Sequence, residues 1–439
     1  MAVKDQWSNE WGFVLAAAGS AVGLGNLWGF AYRASQGGGF AFLFLYLIIV
    51  LAVCLPVLIA EMVLGRSTGR SPLLAPIAAA GIRWQSMGWL FIVASCGILA
   101  FYAVLMGWTG HTLFHSILFG LPRDINEAES FFNQISTGSS VLIGQLFSLF
   151  LTGLIVSKGI KEGIEKLTKL CMPILFFLLI FLAIWAATLP GAFEGYRTFL
   201  FRFNINELFN PTTIRNAFTQ AFFSIGTGIG CILAYSAYLS NKNRLPKEAL
   251  AVVSMDTAVG LLAGMVTFPI VISFGLKDAV SSSTVGTLFI SIPTGLSSLG
   301  YTGRLIAIMF FALAYIAAIT SSISLLEVPV SSIIDRLGWK RNQAVWFSIL
   351  LIFIAGLPSA IDLNILGKMD AIFGGILLIL GGLLLSILFG WVIPKSFESD
   401  LNNSRTNIKI ITPLKFMLRW VSPPVIAFGL IISLIDLIN

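Results

Sequence analysis

Gly19, Gly23, Gly25 and Asn26 stand close together in the stretch GSAVGLGNLWGFAYRASQGGGFAF (residues 19–42), inside an apolar segment long enough to cross a bilayer. Much further along, QAFFSIGTGIG (220–230) carries Gly226, Gly228 and Gly230 in a similar setting. Glycine at this density interrupts a helix. At membrane depth an interruption frees backbone N–H and C=O groups, each costing several kcal/mol unless something satisfies it. A solute and its ions can do so. The half-helix that begins near Leu24, Gly25 and Asn26 would aim amides and a positive dipole end at an anion, while the carbonyls of the break would face a cation. Glycines also let helices pack closely, but packing does not require a second matched break, and paired breaks point to a transporter's central binding site.

Carboxylates add to this chemistry. Asp256, Glu61 and Glu327 all lie in apolar segments. A carboxylate near mid-bilayer costs about 2.5–3.5 kcal/mol on insertion scales, so Asp256 should have a counter-charge. Glu61 and Glu327 are expected to be functional or bonded to freed backbone amides, and neither is expected to be catalytic. Thr320, Ser321 and Ser322 in an apolar helix would by themselves read as hydroxyls bonded back to the preceding turn. Cys54, Cys96, Cys171 and Cys231 sit in apolar segments and read as small buried hydrophobes. His111 and His115, one turn apart, lack further metal ligands and read as polar tips at the interface. With no activated nucleophile, metal cluster or phosphate loop, the chain is expected not to be an enzyme.

The elements that position these residues follow from composition. Of 439 residues, 57% are hydrophobic and 11% charged, with a mean hydropathy of +0.92. That balance excludes a soluble fold. Eleven apolar spans are predicted, at approximately 11–33, 39–65, 86–118, 140–157, 165–190, 213–239, 249–276, 303–333, 342–360, 370–394 and 414–437. The first follows MAVKDQWSNE, lacks the features of a signal peptide and is expected to be retained. With a cytoplasmic N-terminus, most of the 27 Lys and Arg residues fall on the inner side, and the acidic RDINEAES loop falls outside. The net charge of +7 then reflects this bias rather than nucleic-acid binding. Because the glycine breaks fall in spans 1 and 6, spans 1–5 and 6–10 read as two similar halves. Five being odd, the second must be inverted. The expected division is 1–190, 191–394, and 395–439 for the last span and its loop.

The segments GSAVGLGNLW with its GGG turn, FFSIGTGIG, SKGIKEGIEKLTKLCMP and AAITSSISLLEVP are similar to those of the neurotransmitter:sodium symporter family, in its bacterial amino-acid-carrying branch. The resemblance runs from Trp7 to about residue 395 and implies an all-α integral membrane fold of two inverted five-helix repeats with helices 1 and 6 broken. It implies two sodium sites. The first would use the Ala21 carbonyl, the Asn26 amide oxygen, Ser224 and Asp256; the second, the carbonyls of Gly19, Val22 and Ala317 with the hydroxyls of Thr320 and Ser321. Both sets are all oxygen, as a hard cation requires. The substrate carboxylate would meet the Leu24 and Gly25 amides, Tyr102 and the first sodium. Gly23, where monoamine carriers of the family have aspartate, implies an amino-acid substrate. Its side chain would lie among Ser20, Ala21, Ile98, Phe223, Gly226, Ile229, Ser321 and Leu325, none of them charged, so an uncharged, apolar side chain is expected.

The same resemblance implies gates. On the inside Lys4 would pair with Asp335, with Trp7 and Tyr238 beside them. On the outside the family's aspartate is present as Asp370, but its arginine position reads Gly29, and the proline two residues on reads Ala31. Arg33, four residues past Gly29 on the same helix face, is expected either to reach back toward Asp370 or to snorkel into the outer vestibule. Animal relatives hold chloride near Asp256 with a hydroxyl where this chain has Gly260, alongside Tyr46, Gln220 and Ser224; Asp256 is expected to supply that charge, without chloride. The resemblance also implies that Glu61 braces the unwound sixth helix. The chain therefore reads as a multi-pass plasma (inner) membrane symporter importing a neutral amino acid with two sodium ions by alternating access. The alternatives are a carrier of a small osmolyte such as glycine, taurine or betaine, and a nutrient sensor that binds without transporting.

Overall fold

The computed structural model describes residues 6–202, 204–240, 242–275, 287–404 and 406–438. Among the described residues the chain is helical throughout, with no strand, as an element that must satisfy its own backbone in lipid has to be. Thirteen helical segments carry the argument. They are α1 (Glu10–Ala21), α2 (Gly25–Gln36), α3 (Phe40–Thr68), α4 (Ile82–Leu118), α5 (Gly138–Ser157), α6 (Ile160–Ala186), α7 (Pro211–Ile225), α8 (Cys231–Ser236), α9 (Leu245–Ser273), α10 (Gly300–Leu337), α11 (Arg341–Ile361), α12 (Leu363–Val392) and α13 (Ile408–Ile435).

Nine of these among the described residues are long and apolar enough to cross a membrane singly, and α1 with α2 form a tenth span bent by 69°. The predicted sixth, 213–239, is two helices, α7 of 15 residues and α8 of 6, each too short to span by itself. The other ten predicted spans each match a helix or the bent pair within a few residues.

Side chains that the sequence left apolar on all faces explain the packing. The two longest helices, α4 and α10, lie along each other, and α4 also packs on α5 and α11. The half-helices are placed inside this frame: α1 lies against α6, α9 and α10, and α8 lies against α3. Polar contacts tie the connections into two ends. At one, the basic end, Arg66 pairs with Asp400 at 2.5 Å, Arg70 with Asp335 at 3.0 Å, and Arg341 with Glu327 at 2.5 Å. At the opposite end, Arg304 donates to the Ser116 and Ile117 carbonyls.

Candidate functional site

The first break spans Val22 to Leu24. The Val22 N–H still closes the last turn of α1 on the Ala18 carbonyl at 2.8 Å, but Val22 itself is extended, with ψ near 102°. The second break is set by three residues with positive φ: Gly226 at 65°, Gly228 at 92° and Gly230 at 84°. Any side chain there would strain the backbone, which is why glycine recurs. The amides this break frees are collected by Glu61, whose carboxylate accepts from Gly228 N at 2.8 Å and Leu233 N at 3.3 Å. A fully buried acid facing backbone N–H groups answers the question of where those donors go.

The two breaks face one cavity of about 50 Å³. Of the expected pocket residues, Ser20, Ala21, Gly23, Gly25, Ile98, Tyr102, Phe223, Gly226, Ile229, Ser321 and Leu325 line it. Ser224 is instead buried behind the wall, in the Asp256 cluster. Leu24 contributes its backbone, donating N–H to the Tyr102 hydroxyl at 3.1 Å. Gly23 is dictated by close approach: a Cβ there would stand 3.1 Å from both Ser321 Oγ and Tyr102 OH. Beside Gly226, by contrast, the space is open. Sequence reasoning missed Cys231, Ser324 and Leu378, which also line the cavity. Ser324 was within reach, one turn beyond Ser321 on the same face; Leu378 lies on a helix distant in sequence and left no signal. Ser20 donates to Ser324 at 2.7 Å, so one corner of the pocket is polar.

On one side of the cavity, Asn26, Ser224 and Asp256 meet in full burial. Ser224 Oγ donates to Asp256 Oδ2 at 2.6 Å, and Tyr46 OH to the same atom at 3.3 Å. Asn26 arrives with its amide reversed from expectation. Its Nδ2 donates to Asp256 Oδ1 at 2.7 Å and to Ser224 at 2.8 Å, while its oxygen accepts from Gly23 N at 3.2 Å. With no lysine or arginine paired to it among the described residues, the acid attracts whatever donor is in reach. Half a turn about the Cβ–Cγ bond exchanges the amide nitrogen and oxygen, so the residues suit a cation lodged between Asp256 and Ser224.

Across the cavity, Ser321 Oγ lies 3.3 Å from the Gly19 carbonyl, 3.1 Å from that of Val22 and 3.2 Å from that of Ala317. Thr320 Oγ1 stands 3.0 Å from the Ala317 carbonyl. The back-bonded reading and the ligand reading are thus both present in one geometry. A serine hydroxyl has one proton, and three carbonyls converge on it. The surplus of oxygen lone pairs is what a small hard cation neutralises.

The gate residues take the following partners. Arg33 does not touch Asp370: no ion pair within 4 Å joins them among the described residues. Its Nη1 donates to Gln220 Oε1 at 2.5 Å, and its guanidinium lies 5.8 Å from the Phe223 ring. Gln220 is buried and offers an acceptor that Asp370, across the gap, does not bring within range. Both charges nevertheless line one cavity of about 100 Å³ directly above Phe223, together with Gly29. At the basic end Lys4 lies outside the described residues. Asp335 is met by Arg70 and by the Ser71 N–H at 3.0 Å. Trp7 donates to the Tyr235 carbonyl at 3.0 Å, and Tyr238 donates to Glu327 at 3.3 Å. Glu327 holds Arg341 rather than freed amides, because that guanidinium reaches it from across the Gly338 turn. His111 and His115 bond to the Ser140 and Gly120 carbonyls, and among the described residues no cluster of three metal-ligating side chains occurs.

Two broken helices opening on a shared pocket between oxygen-rich clusters, within a bundle of membrane-crossing helices, define a secondary transporter. The chain matches the sodium:neurotransmitter symporter family over residues 4–141 and again over 126–439. It is 33% identical to an uncharacterized sodium-dependent transporter of Methanocaldococcus jannaschii, over 96% of this chain and 88% of that one. It is 32% identical to another of Bacillus subtilis, over 99% and 98%. A crystal structure of MhsT in complex with L-phenylalanine superimposes with a TM-score of 0.89 at 34% identity, covering 98% of this chain and all of that one. This chain belongs to the sodium:neurotransmitter symporter family and is a sodium-dependent membrane transporter, in a family of transporters rather than enzymes.

Proposed function

We propose that the chain imports a neutral amino acid with an apolar side chain, together with two sodium ions and without chloride, by alternating access. The observation that carries this reading is the single cavity shared by both breaks, with the Leu24 and Gly25 amides at one end and Asp256 behind Asn26 and Ser224. The substrate carboxylate would displace the Leu24 to Tyr102 bond and lie beside the first sodium, held by Ala21, Asn26, Ser224 and Asp256. The second ion would sit among Gly19, Val22, Ala317, Thr320 and Ser321. Cargo and the first ion share neighbours, so each binds better when the other is present.

Chloride independence is supported by the geometry around Asp256. The hydroxyls of Tyr46 and Ser224, which would otherwise hold an anion, spend their protons on its carboxylate. A Cβ at position 260 would stand 3.0 Å from the Phe30 ring, leaving little room for a hydroxyl. Gln220 Nε2 is buried without an acceptor among the described residues, and replacing external chloride with gluconate decides whether an anion uses it.

The apolar lining by Ile98, Phe223, Ile229, Leu325 and Leu378 favours an apolar cargo, in keeping with the L-phenylalanine bound to MhsT. A small osmolyte is the second reading, favoured by the modest cavity volume and the Ser20–Ser324 corner. Gly29 having no side chain, Arg33 and Asp370 would form the outer gate by closing over Phe223. The bias of basic residues supports a cytoplasmic N-terminus, with the basic end inside, in the plasma (inner) membrane. The proposed repeats are 1–190 and 191–394.

Reconstituted vesicles with an imposed sodium gradient test the reading. Labelled amino acid should accumulate with sodium and not with potassium, and unchanged uptake in gluconate is expected. A screen of amino acids, glycine, taurine and betaine for sodium-dependent thermal stabilisation should single out the cargo, which at a hundredfold excess over its Kd adds about 2.7 kcal/mol. Uptake that ignores sodium would overturn the proposal.

A further inference from the structure

A roomy cavity lies away from the cargo route, on the periphery of the bundle near the basic end. It has a volume of about 460 Å³ and lies between α4, α10 and α11. Its walls include Trp89, Ile92, Pro329, Phe347 and Leu351, and Trp89, Phe347 and Leu351 are exposed. In a membrane-crossing bundle that exposure is to lipid or to the headgroup layer.

Two polar features break the apolar wall. Arg336, in the last turn of α10, lies over the Trp89 ring at 5.4 Å, and no carboxylate or carbonyl among the described residues accepts its protons. Ser348, only 2% exposed, lines the same groove and has a hydroxyl with no partner among the described residues. It lies seven residues into α11, so about 10 Å from the start of that helix. A buried hydroxyl left without a partner is uncommon enough to require an explanation.

We propose that this groove binds one anionic phospholipid. The order of groups fits an amphiphile: a cation at the helix ends for the phosphate, a buried hydroxyl further into the groove for an ester carbonyl, and apolar walls for the acyl chain. A soluble anion would have no use for the walls. A neutral apolar solute would have no use for Arg336. The volume lies in the range of specific ligand sites, and basic grooves between membrane helices recognise lipid headgroups. Stacking on Trp89 holds the guanidinium at the groove mouth instead of letting it sweep through water. The inference does not depend on which solute is carried.

The test uses the full chain purified in detergent. Dioleoyl phosphatidylglycerol and dioleoyl phosphatidylcholine are titrated separately, with thermal stability and lipid retained in native mass spectra as readouts. The wild type should retain one phosphatidylglycerol and be stabilised more by it than by phosphatidylcholine. Arg336→Gln should weaken the apparent affinity for phosphatidylglycerol about fivefold, the worth of one basic residue at an anionic surface. Ser348→Ala should weaken both lipids, since ester carbonyls are common to both. Lys161→Gln, on an exposed residue outside the groove, should change neither. Equal stabilisation by the two lipids would overturn the proposal, as would an equal loss in Lys161→Gln, which would mark a diffuse surface-charge effect.

Discussion

Asp256 concentrates the chemistry of the site in one residue. A buried carboxylate with no basic side chain in contact is held here by three neutral donors, Asn26, Ser224 and Tyr46. Neutral hydrogen bonds offset only part of the cost of a buried charge, and the sodium ion proposed beside it would complete the balance. Asp256→Asn removes the charge while keeping shape. Sodium affinity should then fall tenfold or more, about 1.4 kcal/mol, read as a higher half-saturating sodium concentration for substrate binding. An unchanged sodium dependence would remove Asp256 from the site. Gly23 makes the complementary case, a position without a side chain, where a Cβ would press on Ser321 and Tyr102 at 3.1 Å and require both to give way slightly.

At the scale of elements, the second broken helix is a braced structure rather than a loose one. Gly226, Gly228 and Gly230 permit the unwinding, Glu61 on α3 collects the amides it frees, and Gly381 on α12 lets the loop pack backbone against backbone at Gly228. Removing the brace should therefore be felt in both stability and binding. Glu61→Gln turns an acceptor-only group into one that also presents N–H donors to backbone N–H groups. The expected loss is about 1.5–3 kcal/mol, seen as a lower melting temperature in detergent, accompanied by weaker substrate binding. A variant that melts and binds like wild type would show that the break is held by packing alone.

Under the proposed alternating access the whole molecule opens to one side at a time, and its two ends carry different polar contacts. At the basic end Arg66–Asp400 and Arg70–Asp335 bridge segments distant in sequence, and Arg341–Glu327 ties the consecutive helices α10 and α11. At the other, Arg33 and Asp370 flank one small cavity above Phe223 without meeting. If they close the outer gate during transport, Arg33→Gln and Asp370→Asn should each weaken substrate binding roughly tenfold. The double variant should be no worse than either alone, since a shared interaction is lost only once. Losses that simply multiply would show that Arg33 serves Gln220 and Phe223 and not the gate.

The sequence alone determined the class and the skeleton. Long charge-free runs admit only membrane helices, and glycine triplets in two of them mark where the backbone opens, because both signals are local and set by solvent and by sterics. The residues that meet in the pocket were readable where a motif names them, as with Asn26 and Ser321. Tertiary structure alone decided which partner each charge takes. Arg33 went to Gln220, Asp335 to Arg70 and Glu327 to Arg341, and Leu378 and Cys231 joined the cavity wall. Those choices turn on distances of a few ångströms between helices, most of them far apart in the chain, and on the short range over which a hydrogen bond or ion pair outweighs its desolvation. No local pattern of residues encodes such distances; only the packed bundle sets them.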